Sequence, residues 1–177
     1  TRQWLNRLAL AARLNLSQPQ AFDEAPAWPD VQHLFKHFDD NLLIPLLAGL
    51  KTLEEVQTIR WAKVLHPSLP WSQQHALDLY LPPRIKVPSG LSHKLDYQND
   101  GQVVLPVRMQ EMYGENTILT VADDQVTVVF SLLSPAGRPV QMTRDIPAFW
   151  QGSYHEVKKE MKGRYPKHYW PEDPTTA

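Results

Sequence analysis

Between Arg138 and Lys167 the chain sets seven cations, Arg138, Arg144, Lys158, Lys159, Lys162, Arg164 and Lys167, against three acids, Asp145, Glu156 and Glu160. The segment GRYPKHYWPEDP, residues 163–174, then interleaves Arg164, Lys167 and His168 with Tyr165, Tyr169 and Trp170 on a backbone stiffened by Pro166, Pro171 and Pro174. Arginine and lysine attract phosphates, and an aromatic ring stacks on an unpaired base for about 1–3 kcal/mol. This combination suits single-stranded nucleic acid, with Arg138, Arg144, Lys158, Lys159, Lys162, Arg164, Lys167 and His168 as candidate contacts. Tyr165, Tyr169 and Trp170 are candidates for stacking or for packing. The second reading stays open at this level: the charges solvate a helix face and the aromatics strap the tail onto the fold, since aromatic side chains are commonly core. The formal net charge of −1 gives no global pull towards a polyanion, so either role must come from local clustering.

Other chemistry fails on spacing. No G-x-x-x-x-G-K-[ST] loop and no G-x-G-x-x-G fingerprint occurs, so the chain has no nucleotide-hydrolysing motif. DEAP, residues 23–26, mimics the acidic motif of helicase ATPases but follows no apolar strand, and is read as coincidence. His33 and His37, with Asp39 and Asp40 nearby, have one-face helical spacing, yet no further His or Cys joins them, and the reading is a solvated face. His155 and Glu156 begin an H-E pair that Lys159 interrupts. There is no G-x-S-x-G elbow and no cysteine. No catalytic residue, metal site or bound cofactor is therefore expected. The absence of cysteine agrees with a reducing compartment. No apolar run reaches the ~18 residues of a membrane span; the longest, LLIPLLAGL at 42–50, reads as core. The chain opens on Thr1 without a charged-then-apolar leader, and the cytoplasm is the expected location.

The elements that position these residues follow two periods. With 42% hydrophobic residues over 177, the chain has material for a real core. Trp4, Leu5, Leu8 and Ala12 have helical spacing, as do Val31, Leu34, Phe35 and Phe38. Thr52 and Glu55 form a capping box opening a helix towards Leu65, and Trp71 to Leu81 predicts another, ended by Pro82 and Pro83. Alternation then takes over. Ile85 and Val87, Leu95 and Tyr97, and Val103 and Leu105 predict an antiparallel meander; Val126 to Leu132 is the strongest strand, joined through SPAG at 134–137 to a returning strand, Pro139 to Thr143. Val107 to Tyr113 predicts a short helix. Ser153 with Glu156 predicts a second capping box for a last helix bearing Tyr154, Val157 and Met161, closed by Gly163. On that helix Lys158 and Lys162 stand one turn apart with Lys159 beside them, a basic stripe behind a buried one. The expectation is α+β: a helical subdomain, residues 1–82, then an α+β module, 83–177, with an antiparallel meander and hairpin capped by C-terminal helices and an ordered basic and aromatic tail.

The stretch LLSPAGRPVQMTRDIPAFWQGSYHEVKKEMKGRYPKHYWPEDP, residues 132–174, resembles the C-terminal signature of the bacterial HrpB-type helicases of the DEAH-box group. VPSG at 87–90, LDY at 95–97, LPVRMQEMYG at 105–114, and further upstream WPD at 28–30 and LAGLKTLEEV at 47–56, resemble the family in the same order. The resemblance implies the last part of a longer protein whose ATPase domains, with their ATP and magnesium, lie upstream. It implies a non-catalytic accessory module whose partners are RNA or single-stranded nucleic acid and the helicase core of the same chain, with no membrane. The alternative is a protein-interaction or structural domain docking on that core or on another protein, its aromatic tail the anchor. Within the signature, Trp150 and Tyr154 are expected as packing anchors and Asp145 as a helix cap or a partner of Arg144. For Arg164, Lys167 and His168, nucleic-acid contact and a structural role are equally open.

Overall fold

The structure, a computed structural model, describes residues 1–18, 27–31 and 40–176, with side chains from Ile44 onward in the last stretch. The chain divides into two compact units, Thr1–Leu81 and Pro82–Ala177. No helix among the described residues is long and apolar enough to cross a membrane. The predicted helix around Val31, Leu34, Phe35 and Phe38, the DEAP tetrapeptide, and His33, His37 and Asp39 lie almost wholly outside the described residues, as does the side chain of Asp40.

The first unit is helical. Helix α1 (Arg2–Leu14) buries Trp4, Leu8, Leu10 and Ala11 and ends at Asn15 in the left-handed conformation, φ 46°. It packs on α5 (Trp71–Tyr80). The join is a buried arginine: Arg7 Nε donates to Leu81 O at 2.6 Å, and its terminal nitrogen donates to Leu77 O at 2.9 Å and Asp78 Oδ1 at 2.7 Å. Leu81 O lies beyond the last turn, Leu77 O takes the guanidinium as a second donor beside the Leu81 N–H, and the positive charge offsets the partial negative charge of this helix end. Between these helices lie α2 (Asp40–Leu47), α3 (Leu53–Thr58) and α4 (Trp61–Leu65). The Thr52 capping box forms with both bonds at 3.2 Å. The helix expected to run on to Leu65 breaks at Ile59, because the Thr58 hydroxyl bonds back to Glu55 O at 2.6 Å and Ile59 turns extended. Residues 42–50 were expected as core, but Ile44 is 61% exposed. Pro45 sits inside the eight-residue α2, and Leu47 is 39% exposed as well.

The second unit is built on a four-stranded sheet, order β3-β4-β7-β8, from β3 (Asp96–Tyr97), β4 (Val103–Arg108), β7 (Val129–Leu133) and β8 (Pro139–Thr143). Two small antiparallel pairs stand beside it: β1 (Arg84–Lys86) with β2 (Ser92–Lys94), and β5 (Thr120–Val121) with β6 (Val126–Thr127). The α+β class holds, with helices first and strands after. The meander does not extend through the sheet centre, where β4 and β7 run parallel, Leu105 beside Phe130. A parallel pair needs a long crossover, and residues 109–128 supply it with a 3-10 turn at Met109–Met112 and the β5-β6 hairpin. That 3-10 turn is what remains of the helix expected at 107–113, β4 having claimed Val107 and Arg108. The run from Val126 to Leu132 likewise divides at Val128, whose N–H bonds to Leu119 O, as the chain passes from one sheet to the other. The β7-β8 hairpin forms as expected.

Candidate nucleic-acid interface

Two helices close the second unit. Asp145 caps α6 (Ile146–Gln151) by accepting from the Ala148 N–H at 2.8 Å, and so takes the cap role rather than pairing with Arg144. Helix α7 (Tyr154–Arg164) follows after Gly152 and Ser153. The predicted Ser153 box is absent: Ser153 is already helical, φ −71° and ψ −9°, whereas a capping serine needs extended backbone. Gly163 lies inside α7 rather than beyond it, and the last bond runs from Tyr165 N–H to Met161 O at 2.7 Å.

Beneath α7 the aromatic side chains converge. Trp150 and Tyr154 are buried, as expected of packing anchors, and their rings meet edge to face at 5.3 Å. Tyr113 and Phe149 complete the group. Burial pushes the Tyr113 and Tyr154 phenols above their ordinary range, because an ionised ring there would lose its hydration. The tail is tied across this group. The Tyr154 hydroxyl donates to Pro171 O at 2.9 Å, Trp170 Nε1 to Tyr165 O at 3.0 Å, and the Gly114 N–H to Pro174 O at 2.8 Å. Trp170 is buried, so it packs and does not stack on a ligand.

The predicted cations meet different fates. Lys158 is buried beside this tail and reaches Glu172 at 2.6 Å, its stem covered and its ammonium paired at the edge. The ammonium's hydrogen bond and charge hold the Glu172 carboxyl below its usual range, with Lys162 and His155 adding to the effect. The exposed basic stripe of α7 is therefore Lys159 and Lys162 with His155, one residue round from the stripe expected through Lys158. On the other flank Arg164 pairs with Glu160 at 3.0 Å. Arg138, on the β7-β8 hairpin, shares with Glu160, Arg164 and the half-buried Tyr165 a groove of about 310 Å³. Arg144 is apart from that group, at a separate hollow with Gln102, Val129 and Met142. Lys167, His168 and Tyr169 are exposed on the tail. Arg138, Arg144, Lys159, Lys162 and Lys167 make no ion pair among the described residues.

Sequence reasoning missed Arg108, Gln110 and Glu111, which line a cavity with His168 and Tyr169. The signal was thin, because a predicted helix at 107–113 distributes these three over several faces.

This two-helix cap on a mixed sheet, with its strapped aromatic tail, defines a compact α+β unit. Residues 42–174 match the model of the HrpB_C family, described as ATP-dependent helicase C-terminal, and the chain belongs to that family. It is 47% identical over 138 residues to the ATP-dependent RNA helicase HrpB of Escherichia coli strain K12, covering 78% of this chain and 17% of that protein. It is also similar to two crystal structures of E. coli HrpB. One, titled a DExH-box NTPase, matches 99% of this chain and 21% of the other at TM-score 0.78 and 40% identity. The second, titled a DEAH/RHA helicase, matches 96% and 20% at TM-score 0.68 and 38% identity. The chain thus spans about a fifth of the length of these relatives.

Proposed function

We propose that this chain is a non-catalytic accessory module of an ATP-dependent RNA helicase, and that it holds single-stranded RNA through phosphate contacts. ATP and magnesium belong, on this reading, to domains elsewhere in the parent protein. The supporting observation is that Arg138, Lys159, Lys162 and Lys167 are exposed and unpaired on the hairpin, helix and tail of one unit. Exposed cations that form no close ion pair can displace counterions from a nucleic-acid backbone. The test is a salt titration of the chain with labelled single-stranded RNA. Affinity should fall linearly on a double-logarithmic plot, and each of Arg138→Ala, Lys159→Ala, Lys162→Ala and Lys167→Ala should flatten the slope by about 0.7. Binding that is absent or indifferent to salt overturns the reading.

A second reading, docking on the helicase core of the same protein, is favoured by α5. Trp71 and His75 stack at 5.2 Å on its exposed face, and Leu79, one further turn along, is 58% exposed. The expected anchor in the aromatic tail is less suited, since Trp170 is buried. Trp71→Ser should then weaken association with the separately produced core while leaving the salt slope intact.

A further inference from the structure

A cavity of about 490 Å³ in the second unit is lined by Arg108, Gln110, Glu111, Pro135, His168 and Tyr169. Tyr169 brings a ring that is 68% exposed yet held: Tyr113 meets it edge to face at 6.3 Å, and the backbone on either side is tied by the tail's bonds. A fixed aromatic face open to solvent is a stacking platform with little entropy left to lose. The cavity's polar atoms are as unusual as its ring. Gln110 Nε2 is shut off from solvent and has no hydrogen-bond partner. Glu111 Oε2 and His93 Nε2 lie 2.5 Å apart, yet neither atom makes a hydrogen bond of good geometry. Glu111 and His93 thus face each other, while Gln110 Nε2 faces no acceptor. A buried amide donor left unmade is costly and calls for an acceptor. Arg108, with its side chain 56% exposed, stands 3.6 Å from Glu111 and carries the positive charge of the site.

We propose that this cavity receives one unstacked nucleobase of a bound single strand. Tyr169 stacks on the base, Arg108 meets a neighbouring phosphate, and the Gln110 amide, enclosed while the cavity is empty, turns outward to donate to a ring nitrogen or carbonyl on the base edge. The site rests on the nucleic-acid reading above and extends it from the backbone to the bases. Every base offers an acceptor and a π face, so the cavity selects for single strands over duplex rather than for one sequence.

The experiment compares a short single-stranded RNA with a wholly abasic strand of equal length, both titrated with salt against the chain. The abasic strand should bind about tenfold more weakly at each salt concentration, in line with one lost stack. Tyr169→Ala should erase that ratio without changing the salt slope, and Tyr169→Phe should restore it. Gln110→Leu, which removes the orphaned donor, should lower the ratio while raising the thermal midpoint. Equal affinity for the two strands overturns the base site and leaves the phosphate reading standing. A retained ratio with no salt dependence does the reverse. No binding of either strand overturns both.

Discussion

On α7, Lys158 is 7% exposed with its ammonium 2.6 Å from Glu172, whereas Lys159, the next residue, is exposed and makes no ion pair among the described residues. The same contrast separates Trp170, buried and bonded to Tyr165 O, from its neighbour Tyr169, 68% exposed. Residues of one chemical type, adjacent in one segment, thus serve an inner knot and an outer flank. The inner side is the strap, and the outer side is what remains for the polyanion contact proposed above. What sorts them is the direction of each side chain from helix or turn. A helix advances about 100° per residue, so two consecutive lysines cannot both lie against the tail.

The largest effect that tests this contrast belongs to the knot. Tyr154→Ala removes a fully buried ring and its bond to Pro171 O, and should cost about 4 kcal/mol of unfolding free energy by chemical denaturation. Tyr154→Phe keeps the ring and should cost about 1 kcal/mol. A loss for the alanine no larger than for the phenylalanine would mean that the aromatic group is not what holds the tail.

A second effect is set by pH. The Glu172 carboxyl titrates below its ordinary 4.5 in the folded chain, chiefly through its hydrogen bond and charge contact with Lys158. A depressed carboxylate contributes stability above its unfolded value and loses it as pH falls through the lower, folded one. The tail should therefore loosen in acid, read as faster amide exchange, relative to the intrinsic rate at each pH, at Gly114, whose N–H bonds to Pro174 O, below about pH 4. Glu172→Gln should show that faster exchange at neutral pH and lose the dependence. An acid response unchanged in that variant would assign it to another carboxylate. Asp173, also lowered, by its bonds to Thr175, is the control through Asp173→Asn.

Much of this was legible from pattern, and the failures have common causes. The α5 helix, the Thr52 box, the β7-β8 hairpin and the Asp145 cap each announce themselves by chemistry within four or five residues. The β5-β6 hairpin did not. Its turn places Ala122, Asp123 and Asp124 at φ 58°, 55° and 62°, where turn chemistry usually shows glycine or asparagine. The parallel pairing of β4 with β7 is a long-range choice that no local alternation encodes. The resemblance to the helicase family carried the function further than composition did, since seven cations look alike until burial separates Lys158 from the rest. Arg7 makes the same point from the other side: its partners Leu77 O and Leu81 O stand at the end of α5, a long-range pairing that no pattern around Arg7 signals.

The smallest effect on stability is expected where the functional reading is strongest. Lys159 and Lys162 lie on the exposed flank without ion pairs, and exposed substitutions of this kind usually stay within about ±0.5 kcal/mol. The double variant Lys159→Ala with Lys162→Ala should therefore unfold at nearly the same denaturant concentration as the unaltered chain, yet flatten the salt slope of RNA binding by about 1.4. The slope reads the exposed flank and the unfolding midpoint reads the knot. A slope left intact would show that the outer flank meets no phosphate. A marked loss of stability would mean that Lys159 and Lys162 belong with Lys158 in the knot, and the division between the sides of α7 would have to be redrawn.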